Sequence, residues 1–123
     1  MFNDAKGFKR IYLAVGYTDL RNGIEGLATI VKQQFCLDPY EKGVLFLFCG
    51  RRTDRIKGLL WEGDGFLLLY KRLQSGSFSW PRSDREALAI TRQQYRMLMA
   101  GLQVAARHPI KECRPQELLR FIV

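Results

Sequence analysis

Side chains that commonly build catalytic and metal centres are scarce in this chain of 123 residues. It has one histidine, His108, and three cysteines, Cys36, Cys49 and Cys113, with no C-x-x-C pair among them. An odd and dispersed set of cysteines argues against a disulfide framework and favours a reducing cytoplasm. Structural zinc needs about four Cys or His ligands at short paired spacings, so we expect no metal site.

Long hydrophobic runs are also missing. The longest strongly apolar run without charge, residues 43–50, is far shorter than the ~20 residues that cross a bilayer. The N-terminus carries Asp4 and Lys6 and has no apolar signal core. The sequence therefore predicts a cytoplasmic protein without membrane contact, folded as a single domain over residues 1–123.

Negative charge is in short supply. The chain holds 12 Asp and Glu against 20 Lys and Arg, which gives a net charge of +8. The excess begins at Arg51, because residues 1–50 hold six bases and five acids whereas residues 51–72 hold six and three. Nucleic acid is the commonest polyanionic partner of a basic intracellular domain, so we expect DNA among the partners.

Hydrophobic periodicity predicts an α+β fold with the element order β-α-β-β-β(-β)-α. The runs typical of strands are residues 10–15, 44–48, 55–62 and 66–73, with a further short strand at 78–80. We expect mainly an antiparallel meander, in which Gly63-Asp64-Gly65 forms a tight turn.

One long helix is predicted between the first two strands. Thr18 occupies an N-cap position, and apolar residues spaced by three and four predict a helix over residues 19–36, packed on one face of the sheet. Thr91 is expected to cap a helix that reaches about residue 102, and Pro115 to open a short third helix.

The strands at 44–48 and 66–73 are apolar on both faces, so the sheet must be covered twice. The long helix covers only one face. We expect another protein molecule, such as a second copy in a homodimer, to close the other face, and the C-terminal segments are the rival cover.

A cluster of four bases lies where one strand turns into the next. Arg51, Arg52, Arg55 and Lys57 fall within seven residues and could contact phosphate oxygens, with the arginines adding bidentate geometry. The alternative is a solvated loop that keeps two apolar strands soluble.

A second basic group is interleaved with aromatic residues. Lys71, Arg72 and Arg82 lie near Tyr70 and Trp80, a pattern typical of surfaces that bind single-stranded nucleic acid. The interpretation that we favour for the aromatic residues is core packing, because the faces of their strands need burying. Strand alternation predicts that Lys71 and Arg72 point to opposite faces.

Candidate catalytic groups are few. Asp19, Asp54 and Asp64 could form a carboxylate triad for metal-dependent phosphoryl transfer. Each has a structural explanation instead, as a helix-start residue, an ion-pair partner of arginine and a turn residue respectively. We therefore expect no enzyme activity and no cofactor.

Several segments, taken in order, resemble one known family. They are RIYL (10–13), GYTDLRNG (16–23), RRTDRIK (51–57), LWEGDGF (60–66) and YKRL (70–73), followed by Gly76, Phe78, Trp80 and Pro81. They resemble the TnpB-type accessory proteins encoded by the second reading frame of a large family of bacterial insertion sequences, which are unrelated to the RNA-guided nucleases of the same name. The match runs over about residues 10–102 and leaves residues 103–123 outside. Tyr17 and Leu20 depart from it, where proline and methionine are expected.

The resemblance implies a non-catalytic accessory protein of DNA transposition that binds DNA, the transposase of the same element, or both. It brings no catalytic residues with it. A scaffold that binds only protein remains an alternative, and a metal-dependent nuclease is a further one. Independently of the resemblance, the two basic groups supply the residues that we expect to bind nucleic acid, namely Arg51, Arg52, Arg55, Lys57, Lys71, Arg72 and Arg82.

Overall fold

A computed structural model describes residues 7–82 and 87–101 of the chain. In chain order the elements are β1 (Arg10–Ala14), α1 (Ile24–Thr29), β2 (Val44–Cys49), β3 (Arg55–Trp61), β4 (Phe66–Arg72), β5 (Ala87–Ile90) and α2 (Arg92–Met99). A π-helical turn, Ile30–Gln34, continues α1. The predictions for Pro115, His108, Cys113 and residues 103–123 lie outside the described residues.

The strands form one mixed sheet of order β4-β3-β2-β1-β5. β2, β3 and β4 pair antiparallel, as the meander prediction requires. β1 lies parallel to β2, with α1 in the connection between them, and β5 lies antiparallel to β1. The fold class α+β is confirmed, although the sheet is mixed.

The hairpin between β3 and β4 closes as the sequence predicts. Glu62 donates its backbone N–H to the carbonyl of Gly65 over 2.9 Å. Gly63 has a φ of +100°, a conformation that L side chains rarely adopt. A glycine is therefore required at this position of the turn.

The helix predicted over residues 19–36 is shorter than expected. α1 begins at Ile24 with Gly23 as its N-cap, and the segment before it forms a loop. Thr18 is not a cap, because it lies five residues before Gly23, and its backbone N–H donates to the carbonyl of Cys49 over 2.8 Å. Asp19 instead accepts bonds from Arg21 and holds a turn. Contacts with β2 and within the turn thus override the helical periodicity.

Residues 78–80 do not form the predicted strand. Phe78 and Trp80 are buried in an irregular segment, and the indole Nε1 of Trp80 donates to the carbonyl of Ala14 over 2.9 Å. The fifth strand is β5, which sequence reasoning missed because two of its four residues are alanine, a weak strand former. Thr91 does cap α2, in a capping box with Gln94.

The two faces of the sheet carry separate apolar clusters. On the α1 face, Leu27 and Val31 pack over Phe46 and Phe48 of β2. On the opposite face, which we call the α2 face, the covering residues are Phe78, Trp80, Tyr95 and Leu98. The expectation that another molecule must close the second face is therefore wrong for the central strands, which the chain itself covers.

Within residues 7–82 and 87–101, no helix is long and apolar enough to cross a bilayer.

Candidate nucleic-acid interface

An open groove of about 960 Å³ lies on the α1 face, between the loop after β1 and the strands β3 and β4. Its lining contains five basic side chains and one carboxylate. The lining residues are Tyr17, Thr18, Asp19, Leu20, Arg21, Gly50, Arg51, Arg52, Arg55, Lys57, Leu68 and Tyr70. We call this site the basic groove.

The loop that forms one wall of the basic groove is fastened to the sheet by backbone bonds. Gly16 donates its N–H to the carbonyl of Pro81 over 2.9 Å, and Thr18 donates to Cys49. A Cβ on Gly50 would lie 3.3 Å from two side-chain carbons of Leu20. The absence of a side chain at Gly50 lets the loop approach the end of β2 closely.

The carboxylate of the lining is neutralised locally. Asp19 accepts bonds of 2.9 Å from Nε and 2.7 Å from Nη2 of Arg21. These hydrogen bonds lower the pKa of Asp19 to about 2, so it is ionised at neutral pH. The pair is exposed and balances one arginine of the groove.

Arg51 is held in a defined orientation by Tyr17. Its guanidinium carbon lies 4.3 Å from the centre of the tyrosine ring, and its Nη2 donates to the phenolic oxygen over 2.7 Å. Stacking and hydrogen bonding together limit the rotamers of this exposed arginine. Its charge is therefore presented at the rim of the groove with less freedom than a solvated side chain has.

The carboxylate of Asp54 binds the next two arginines of the groove lining, Arg52 and Arg55. Asp54 accepts a bond of 3.0 Å from Nε of Arg55 and one of 3.4 Å from Nη2 of Arg52. The bond from Arg55 is the main cause of the lowered pKa of Asp54. Two positive charges thus share one negative charge, which leaves a local excess of positive charge.

Lys57 projects from β3 on the α1 face, where its Nζ donates to the carbonyl of Asn22 over 3.1 Å. This bond connects the strand with the loop that precedes α1. Lys57 consequently fastens the two walls of the basic groove and adds a charge to its floor.

The other three predicted residues do not line the basic groove. Lys71 pairs with Ile56 and faces the α2 side, whereas Arg72 pairs with Arg55 and faces the α1 side, so their predicted divergence is confirmed. Arg82 donates to the carbonyls of Gly16 and Gly50 over 3.0 and 2.8 Å. Its guanidinium thus connects two loops beside the groove.

The aromatic residues of the second basic group divide into two kinds. Trp80 is buried, as core packing predicts, and so is the neighbouring Phe78. Tyr70 does not follow that prediction, because 53% of it is exposed. It projects from the edge strand β4, where no described strand covers its outer side.

Sequence reasoning missed Arg21 and Tyr17, which complete the groove. Arg21 lies in the segment that periodicity assigns to a helix and Tyr17 lies two residues before it, and the fold brings both to the basic groove. One sequence signal for Tyr17 was available, because it stands where the resemblance leads one to expect proline. In the structure its ring orients Arg51.

The three carboxylates considered for a metal triad are separated. Asp19 and Asp54 bind arginines, and Asp64 lies in the hairpin at the opposite end of β3. No group of three or more metal-ligating side chains occurs in the described parts of the chain.

These features define a small, basic α+β protein in which five basic side chains line one open groove. Residues 9–109 match the family model described as IS66 Orf2 like protein, and the chain belongs to this family. The match extends past residue 102, where the resemblance seen in the sequence ended.

Two relatives from Sinorhizobium fredii carry the names uncharacterized protein y4hO and uncharacterized protein y4jC. The first is 37% identical over 109 residues, covering 89% of this chain and 92% of its own length. The second is 34% identical over 113 residues, covering 90% and 95%. No solved structure matches the chain.

Proposed function

We propose that this protein is a non-catalytic accessory factor of transposition that binds DNA phosphates in the basic groove. Membership of the IS66 Orf2-like family supports a role in the transposition of an insertion sequence. The proposal of DNA binding rests on one observation. Five basic side chains line the same groove, and they come from the loop after β1, the loop after β2 and strand β3.

The chemistry of the lining favours phosphate over a neutral ligand. Four of the five bases are arginines, whose planar guanidinium groups bind phosphate oxygens in bidentate fashion. Such contacts position the nucleic acid but carry no direct sequence information. The proposed binding therefore depends strongly on salt and weakly on sequence.

The scaffold alternative has an observation of its own. Tyr40, Trp61 and Phe66 form a cluster on the α1 face, with ring centres 4.9 to 5.2 Å apart. Tyr40 is 48% exposed, and exposed tyrosine and tryptophan are enriched at protein interfaces. The cluster includes the end of β3 that lies away from the basic groove, so transposase contact there would leave the groove open.

A titration of labelled duplex DNA at several salt concentrations, with and without the transposase, separates the two functions. We expect the protein alone to bind, with an affinity that falls as salt rises by about 0.9 log units per log unit of salt for each phosphate contacted. A scaffold would bind the transposase and show no salt-dependent affinity for DNA alone. Cleavage of the same DNA on addition of Mg²⁺ would contradict the non-catalytic assignment.

A further inference from the structure

The outer edge of β4 has no partner strand among the described residues. β4 is seven residues long, and its first five residues, Phe66 to Tyr70, carry no charge. Natural edge strands usually avoid pairing by means of charge, proline, bulges or short length. Over this stretch β4 shows none of these protections, so it is suited to accept another strand.

We infer that β4 pairs antiparallel with β4 of a second copy of this chain, centred on Leu68. In this register Phe66 lies opposite Tyr70 of the second copy, and Leu67 lies opposite its Leu69. Arg72 then lies opposite the hairpin turn that contains Asp64. The strand complements itself in both its apolar residues and its charges.

Geometry restricts the choice of register. In a continuous antiparallel sheet, residues directly opposite each other point to the same face. Each residue of a self-paired strand can therefore change its partner only by two positions, which moves the centre of the pairing by one residue. A pairing centred on Leu69 would place Leu67 opposite Lys71. A pairing centred on Leu67 would place Tyr70 opposite the turn residue Asp64. Only the register centred on Leu68 keeps the whole uncharged stretch paired with itself.

Exposed Tyr70 and half-buried Phe66 gain contacts in this arrangement. Tyr70 is 53% exposed and would lie across from Phe66 of the second copy. Phe66 already contacts Tyr40, with ring centres 5.2 Å apart. Aromatic pairs across neighbouring strands are among the favourable contacts of antiparallel sheets. The pairing would thus shield β4 and the adjoining aromatic surface at once.

The pairing also determines where the two basic grooves of the dimer lie relative to each other. The meaning of this placement rests on the proposed function. The two-fold axis of such a pair runs perpendicular to the sheet, so both α1 faces lie on one side. Leu68 and Tyr70 line the groove, which brings the two grooves next to each other across the axis. Two adjacent grooves on one face match the two-fold symmetry of duplex DNA.

Charge reversal tests the pairing without DNA. Asp64 and Arg72 are both exposed, and neither forms an ion pair with another described residue, so Asp64→Arg and Arg72→Asp should leave the fold intact. Each variant alone places two like-charged contacts in its homodimer, and we expect its dimer dissociation constant to rise about tenfold. An equimolar mixture of the two variants restores both attractive contacts and should associate as the wild type does.

Sedimentation velocity over a concentration series measures these constants, and circular dichroism checks the fold. Arg96→Asp, an exposed reversal on α2, is the matched control and should leave association unchanged. A wild type that stays monomeric, single variants that associate normally, or a mixture that fails to recover would each overturn the inference. Because no DNA is present, these outcomes are independent of whether the groove binds DNA.

Discussion

β2 and β4 have similar apolar sequences and different environments. All six residues of β2 are buried, whereas every residue of β4 is at least partly exposed. β2 lies between β1 and β3 and is covered on both faces, while β4 has one neighbouring strand within residues 7–82 and 87–101. The comparison shows that position in the sheet, rather than composition, decides which apolar surface is left for partners. The basic groove and the proposed pairing edge both belong to the β4 side.

The largest expected effect is in β2. Phe48 is fully buried on the α1 face, so Phe48→Ala should cost about 3–5 kcal/mol of unfolding free energy and threaten folding. Leu69→Ala on β4 should cost about 1–2 kcal/mol, because Leu69 is only half-buried. Urea denaturation at low protein concentration measures both. Equal losses would show that β4 is as enclosed as β2.

A smaller effect tests whether the chain itself covers the α2 face over the central strands. Trp80→Phe keeps an aromatic ring but removes the hydrogen bond to the Ala14 carbonyl, and we expect a loss of about 1–3 kcal/mol. Trp61→Phe, at the half-buried end of β3, is the control and should cost less. If Trp80→Phe is neutral, the irregular segment 78–80 does not close this face as described.

The smallest effect lies in the loop that walls the basic groove. Arg21→Ala removes the side-chain hydrogen bonds to Asp19 but keeps the bond from the backbone N–H of residue 21, so the pKa of Asp19 should rise from about 2 towards 3.8. Since the folded pKa is the lower one, the pair contributes above pH 3.8, and that contribution is lost as the pH falls towards 2. Carboxyl NMR titration measures the shift. An unchanged pKa would mean that Arg21 is not bound to Asp19.

The sequence predicted the parts of the fold that depend on neighbouring residues. The β2–β4 meander follows from short apolar runs and a glycine turn, and the start of α2 follows from the Thr91 cap. The loop after β1 could not be predicted, because Thr18 is held by Cys49, which is distant in sequence.

The residues of the candidate site also fall into two groups, those that are neighbours in the sequence and those that only the fold brings together. Arg51, Arg52, Arg55 and Lys57 could be recognised because they are neighbours in one hairpin. Arg21 joins them only through the fold, since it lies in the loop after β1. Arg82 looked like a binding residue, yet its guanidinium binds backbone carbonyls, a role that its sequence neighbours do not indicate.

The central claim is that the basic groove, rather than net charge, binds DNA. Its most direct test compares two double variants that each remove two positive charges, Arg51→Ala with Arg52→Ala, and Lys9→Ala with Arg10→Ala. Lys9 and Arg10 pair with Glu41 at the start of β1, away from the groove. In DNA titrations over a salt series, the first variant should flatten the salt slope by about two units, and the second should leave it unchanged. Equal slopes for the two variants would contradict the account.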